Sequence, residues 1–243
     1  AVASVDVTDS AIVGDKGMVR LNLLDSPGNP DFVGELRAGL RGCDAALFVI
    51  SATDGIDGAT RRVWNECAAV GTPRAIVVTD VDEENSDFDA TVAELKDAFG
   101  SGVHPLYLPY QAKDPKTAAL ISVTRGKIMH GFGPNATFAD LPEDEVDHVE
   151  ELRGALLEDV ITESGAESLM DRYLEGEEFN FEAIAEELAI ATTRAQFFPV
   201  LPMVATTGLG VKHLLRTICN GFPTPADHGL LKAYTPAGGD REV

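Results

Sequence analysis

The sequence predicts an α/β protein built on a doubly wound, mostly parallel sheet. Three observations carry that reading: strand-length runs that are apolar throughout, helical periodicities between them, and turn signals at the junctions. At 243 residues the chain suits one large domain, or one domain with a substantial insertion, and can bury a sizeable core.

The elements follow in order. Residues 2–7 and 18–24 read as extended, and Gly14-Asp15-Lys16-Gly17 between them is a turn signal, which predicts a hairpin. A helix near 31–42 places Phe32, Val33, Leu36 and Leu40 on one face. A buried strand at 45–51, a helix near 58–70, a strand at 74–79 and a helix at 88–99 alternate after it, and a strand at 105–108 closes the run. Strands of this kind are covered on both faces. Past Pro109 the rhythm breaks: 117–129 is weakly extended, Gly131–Pro134 is a loop, and three acidic amphipathic segments fill about 147–190. The pattern resumes with a strand at 199–205, a loop from Thr206 to Gly210 and a helix at 211–221. The remainder reads as a linker.

Charge is distributed unevenly. The chain carries 19 basic and 40 acidic residues, a net charge of −21. Residues 140–187 hold 18 of the acids against Arg153 and Arg172. Such a field repels phosphate backbones, which argues against DNA binding. No apolar run is long enough for a membrane span, and the first residues lack the basic and apolar regions of a signal peptide, so a cytoplasmic location is expected. Cys43, Cys67 and Cys219 read as reduced core thiols. The five histidines lie on separate elements and read as surface or satisfied core residues rather than a site.

In an open parallel sheet, ligands bind at the carboxyl ends of the strands. Strand 18–24 ends in Asp25-Ser26-Pro27-Gly28-Asn29-Pro30. A carboxylate there can hold magnesium through water, and a glycine lets its N–H approach a phosphate. The same residues also suit an ordinary strand-to-helix turn with Asn29 as N-cap and Pro30 in the first turn. Strand 74–79 ends in Thr79-Asp80-Val81-Asp82, where a carboxylate can read guanine or merely cap a loop. Strand 199–205 ends in Val204-Ala205-Thr206-Thr207-Gly208, whose amides can touch a base or merely turn the chain.

Taken together, these three segments resemble the third, fourth and fifth motifs of a translational GTPase, most closely the elongation factor G family. Asp31-Phe32-Val33-Gly34-Glu35-Leu36-Arg37-Ala38-Gly39-Leu40-Arg41, Gly55-Ile56-Asp57-Gly58-Ala59-Thr60, Leu106-Tyr107-Leu108-Pro109 and Gly221-Phe222-Pro223-Thr224-Pro225 look like an elongation-factor-G-like branch known from bacteria. The resemblance implies a P-loop GTPase domain over 1–109 and 197–222, an α-rich acidic inserted subdomain over 110–196, and a linker over 223–243 toward a following domain. It implies GTP or GDP and magnesium in the intact parent, the ribosome as partner, and the basic carboxyl-terminal domain of the stalk protein as a partner of the acidic insertion. Asp25 matches the magnesium-associated residue and Gly28 the donor to the terminal phosphate. Thr79 and Asp82 match the base-reading motif, and Val204 and Ala205 the fifth motif.

The departures matter as much. Asn29 stands where the family has its catalytic histidine and cannot shuttle a proton. Asp80 replaces the lysine whose stem covers the base, and Val204 replaces a serine. No Gly-x-x-x-x-Gly-Lys-Ser/Thr occurs in the 243 residues, and the family places that loop, with the first strand of its sheet, ahead of the hairpin. The missing strand would lie between those matching 18–24 and 45–51. The chain as given is therefore expected to be inactive and to bind no nucleotide tightly. An alternative is a degenerate, non-hydrolysing module that recruits a basic partner through its acidic insertion.

Overall fold

The computed structural model describes residues 1–25, 32–164, 181–228, 232–234 and 240–242. Strands β1 (Val2–Val7) and β2 (Val19–Leu24) form the expected antiparallel hairpin, in register from Val2 opposite Leu24 to Val7 opposite Val19. Helix α1 (Ser10–Val13) and a 3₁₀ turn (Gly14–Lys16) make the bend, and the Asp9 side chain caps α1 by accepting from the Ala11 N–H.

Four parallel strands form the central sheet: β3 (Ala46–Ser51), β4 (Arg74–Thr79), β5 (Val103–Pro105) and β10 (Phe198–Pro202), in the order β3-β4-β10-β5. Helices α2 (Val33–Leu40), α3 (Gly58–Ala69) and α4 (Phe88–Phe99) fall where the periodicity put them. Asp57 and Asp87 cap α3 and α4 through the N–H groups of Thr60 and Ala90, satisfying donors that a helix start leaves open. The core between α3, α4 and the sheet is aromatic. Trp64 stacks on Phe99 at 4.0 Å and meets Phe48 and Phe198 edge-on.

The expected strand at 105–108 is split. Leu106 donates its N–H to Val200 O in the parallel sheet and accepts from Val123 N–H in a second sheet, so one residue serves both. That second sheet is antiparallel, β6 (Tyr107–Tyr110), β7 (Ala119–Ser122), β8 (Lys127–His130) and β9 (Thr137–Ala139) in sequential order. The region expected to be α-rich, 110–196, thus carries three strands and the last residue of a fourth as well as α5 (Glu143–Ser164) and α6 (Phe181–Thr193). In α5, Val149, Leu156, Val160 and Ile161 are buried on one face while Glu143, Asp144, Asp147, Glu150, Glu151 and Glu158 are exposed. Three acids in its first turn complement the helix dipole. The acidic stretch expected at 167–174 lies outside the described residues.

Helix α7 (Val211–Gly221) follows β10, and β11 (Lys232–Tyr234) pairs with β12 (Asp240–Glu242) within the tail expected as a linker. One expectation fails at β3. Phe48 and Ile50 are buried, but Leu47 is 36% and Val49 61% exposed, so this face is uncovered. Among the described residues, strand β3 pairs only with β4 and no backbone hydrogen bond joins the β1–β2 hairpin to the parallel sheet.

Candidate functional site

The carboxyl ends of β3, β4 and β10 lie side by side because their registers align Ser51 with Thr79 and Val78 with Pro202. Cross-strand bonding continues past the strand ends. Ala52 N–H donates to Thr79 O and Met203 N–H to Val78 O, each at 2.9 Å, which clamps the three exits together.

At the β4 exit the backbone turns through Asp80, whose φ of 59° lies in the left-handed region that few residues besides glycine, asparagine and aspartate tolerate. The turn buries Val81 and brings Asp82, half-buried, to the rim. Glu83 N–H donates to Asp80 O, and Ser86 Oγ sits 3.1 Å from Val81 O and 2.7 Å from Glu83 O, which closes the loop. Thr79 Oγ1 lies 3.1 Å from Asp80 Oδ2 and 3.4 Å from Ile50 O. Its hydroxyl can therefore hold the Asp80 carboxylate near the strand end.

The β10 exit is a closed loop. Val204 is buried, donates its N–H to Leu209 O at 3.0 Å and accepts from Gly208 N–H at 2.9 Å. Gly210 ends the loop with φ +83°, and a Cβ there would stand 2.2 Å from Pro202 O, so no other residue fits without movement. Ala205 is left exposed, and its N–H makes no hydrogen bond among the described residues. An unbonded amide and a half-buried carboxylate at the exits of two adjacent strands are groups that can hold the edge of a planar polar ring.

Of the expected site residues, then, strand pairing brings together Thr79, Asp82, Val204 and Ala205. Asp25 stands apart on the hairpin, where its N–H donates to Ala1 O at 2.8 Å and its carbonyl accepts from the terminal amine at 2.9 Å. Gly28 and Asn29 lie outside the described residues. Among the described residues no group of three or more His, Cys, Asp or Glu could hold a metal ion, and no helix is long and apolar enough to cross a membrane.

The histidines and cysteines depart in detail from their reading. His104 bonds Asp159 at 2.7 Å and stacks on Phe197. Burial pushes its pKa down, against the pull of Asp159. His213 is buried between Tyr107 and Phe132, each at 4.8 Å, with neither ring nitrogen hydrogen-bonded, so it is a core residue that is not satisfied. Cys67 and Cys219 are buried free thiols, but Cys43 is only half-buried. Burial raises the Cys67 thiol to about 11, so it stays protonated and inert.

Comparison with known proteins adds to this geometry. Residues 3–224 match the elongation factor Tu GTP binding domain. Proteins described as "Elongation factor G-like protein" from Mycobacterium tuberculosis strains CDC 1551 / Oshkosh and ATCC 25618 / H37Rv are each 42% identical over 220 residues, covering 90% of this chain and 30% of their own length. A crystal structure from Thermus thermophilus superposes with a TM-score of 0.72 at 33% identity, covering 86% of this chain and 31% of that one. The chain therefore spans less than a third of the length of each of these relatives. With its parallel sheet, its aligned strand exits and a match over nearly its whole length, the chain belongs to the elongation factor Tu GTP-binding domain family.

Proposed function

We propose that this chain is part of the guanine-nucleotide-binding domain of an elongation-factor-G-like translational GTPase that works with the ribosome in the cytoplasm. The observation that carries the proposal is the alignment of the β4 and β10 exits. On this reading Asp82 would accept from the N1–H and exocyclic amine of guanine, with Thr79 beside it, and the Ala205 amide would meet the base oxygen. The residues at the described strand exits would suit the base. The sequence contains no phosphate-binding loop, and Asp25 would serve a magnesium ion through water. Magnesium and the phosphate loop would supply charge neutralisation at the γ-phosphate. The residues at the strand exits read the base and position the rim.

The uncovered side of β3 fits this reading. Leu47, Val49, Leu23 and Leu24 expose apolar surface on the two elements that the family separates by one strand. We place that strand, with its phosphate loop, in the longer parent protein, and divide this chain as 1–109 and 197–222 for the GTPase domain, 110–196 for the insertion and 223–243 for the connection to a following domain. The exposed acids of α5, flanked by exposed Phe138 and Val146, would meet a basic partner such as the ribosomal stalk protein. Complementary charge would speed that encounter.

A second reading has its own support. Asp80, held at the rim by Thr79, places a second carboxylate where an apolar lysine stem would cover the base. That favours a binding module with little nucleotide affinity and no hydrolysis. Titration of the parent with fluorescent GDP separates the two. Asp80→Lys should tighten binding about tenfold, about 1.4 kcal/mol, and Asp82→Ala should weaken it by at least as much. Indifference to both substitutions would remove the base-reading role, and silence in every form would favour the second reading.

A further inference from the structure

We infer that the junction of the hairpin bend, α6 and α7 is a binding site for a small amphipathic carboxylate, an apolar body carrying one negative charge. A cavity of about 520 Å³ opens there. That size falls in the range of small-molecule sites and far exceeds the voids left by ordinary interior packing. Its walls are largely apolar: Ile12 of the hairpin bend, Leu188 and Ala189 of α6, and Leu106, Phe197 and Pro199 beside the amino end of β10. The strand exits that carry Thr79, Asp82, Val204 and Ala205 lie at the carboxyl end of the same sheet, so this site stands or falls independently of the guanine reading.

Charge selects the head group. In a chain with a net charge of −21, the charged residues among the described ones bordering this cavity are two cations, Lys16 and Arg216, and one acid, Glu186. Their sum suits a monoanion. Lys16 is held at the rim by donating to Cys219 O at 2.5 Å, which uses one of the ammonium's three hydrogens and leaves the others for a ligand. Tyr107 supplies a second donor. It lines the cavity, is 9% exposed, and its hydroxyl makes no hydrogen bond among the described residues. A buried phenol without an acceptor is costly until a partner arrives. Burial raises the Tyr107 pKa while Arg216 and Arg125 pull it back, so the hydroxyl stays a donor in electropositive surroundings. Its ring is fixed edge-on against His213 at 4.8 Å. Because the hairpin, the insertion and α7 all contribute walls, a bound carboxylate ties the three together and raises the melting temperature, as a ligand selective for the folded form does.

Calorimetric titration of the chain with decanoate tests the site, with decylammonium, the same tail under a positive head, as the control. Decanoate should bind at a single site in the micromolar range and raise the melting temperature. Decylammonium should bind about tenfold more weakly or worse, the worth of a charge-assisted hydrogen bond. Lys16→Met, at an exposed residue, should weaken decanoate by about the same tenfold. Tyr107→Phe removes a hydroxyl that holds nothing in the unliganded chain. It should leave that chain's melting temperature unchanged and still weaken decanoate severalfold, a result that a purely structural tyrosine would not give. Ala189→Trp should fill the cavity and abolish binding, and Thr217→Trp, from α7, should do so if the first variant misfolds. The inference is overturned if decanoate fails to bind up to about 1 mM, binds no better than decylammonium, or lowers the melting temperature as a detergent does. It is equally overturned if decanoate keeps its affinity in Lys16→Met, in Tyr107→Phe or in a folded tryptophan variant.

Discussion

Trp64→Ala should remove about 3 to 5 kcal/mol of stability, the range for a large buried aromatic cut to a methyl. Trp64 is 4% exposed and packed on several sides by aromatic and cationic groups. Phe99 stacks on one face, Phe48 and Phe198 meet its edge, and the Arg74 guanidinium stands 4.3 Å from its ring. Arg74 makes the loss worse than a cavity alone. It is buried, its Nε has no hydrogen-bond partner, and its held contacts are the two ring faces of Trp64 and Phe198 and a 3.3 Å bond to Trp64 O. Removing the indole leaves a buried cation with one of its two π partners gone. Since ordinary domains are stable by about 5 to 15 kcal/mol, the variant should be largely unfolded by gentle urea. Trp64→Phe, which keeps one ring face toward Arg74, should cost less than half as much. A urea midpoint followed by circular dichroism, the protein's single tryptophan being the one removed, gives the answer. A loss under about 1.5 kcal/mol for Trp64→Ala, half the lower bound of that range, would contradict the packing described.

His213→Phe should flatten a pH dependence of stability expected of the wild-type chain. Burial and the nearby Arg216 push the His213 pKa down from 6.5 to about 4. Below pH 6.5 the unfolded chain takes up a proton that the folded chain refuses. Stability therefore falls as pH drops from 6.5 toward 4 and is flat above 6.5. The difference of pKa corresponds to about 3 kcal/mol over the full interval. His104, whose pKa is also depressed by burial, contributes in the same direction, so the variant should flatten the slope without erasing it. Phenylalanine suits the niche, because the ring is 7% exposed between Tyr107 and Phe132 with neither nitrogen bonded. Melting temperatures at about pH 7 and pH 5, on either side of the unperturbed histidine value, decide the matter. Equal slopes in wild type and variant would mean that His213 finds a proton acceptor in solution.

Much of this was legible from residues in sequence order. The amphipathic reading of about 147–190 anticipated a helix with a buried face, as α5 has, and the turn signal at 14–17 placed the hairpin. The unbroken apolar run of β4 announced a strand buried on both sides, and its neighbours confirm it. What was not legible depends on partners distant in the chain. Leu106 divides a four-residue apolar run because its two backbone groups are claimed by Val200 and Val123. No local pattern records that. Leu47 and Val49 read as core because composition cannot say whether anything lies opposite. At the candidate site, the resemblance pointed to Thr79, Asp82, Val204 and Ala205, but their adjacency rests on β10 inserting between β4 and β5. The left-handed backbone of Asp80 is visible in sequence only as a residue type that permits it.

The bare flank of β3 bears on how the 243-residue chain by itself behaves in bulk. A strand with an unclaimed edge and projecting Val49 invites a like strand from another molecule, while twenty-one excess negative charges hold molecules apart. Salt weakens only the second of these, shortening the reach of repulsion to about 8 Å at about 0.15 M. Light scattering should accordingly grow with added sodium chloride, and Val49→Lys should suppress the growth. Ionic strength then governs how long dissolved molecules of this chain stay single.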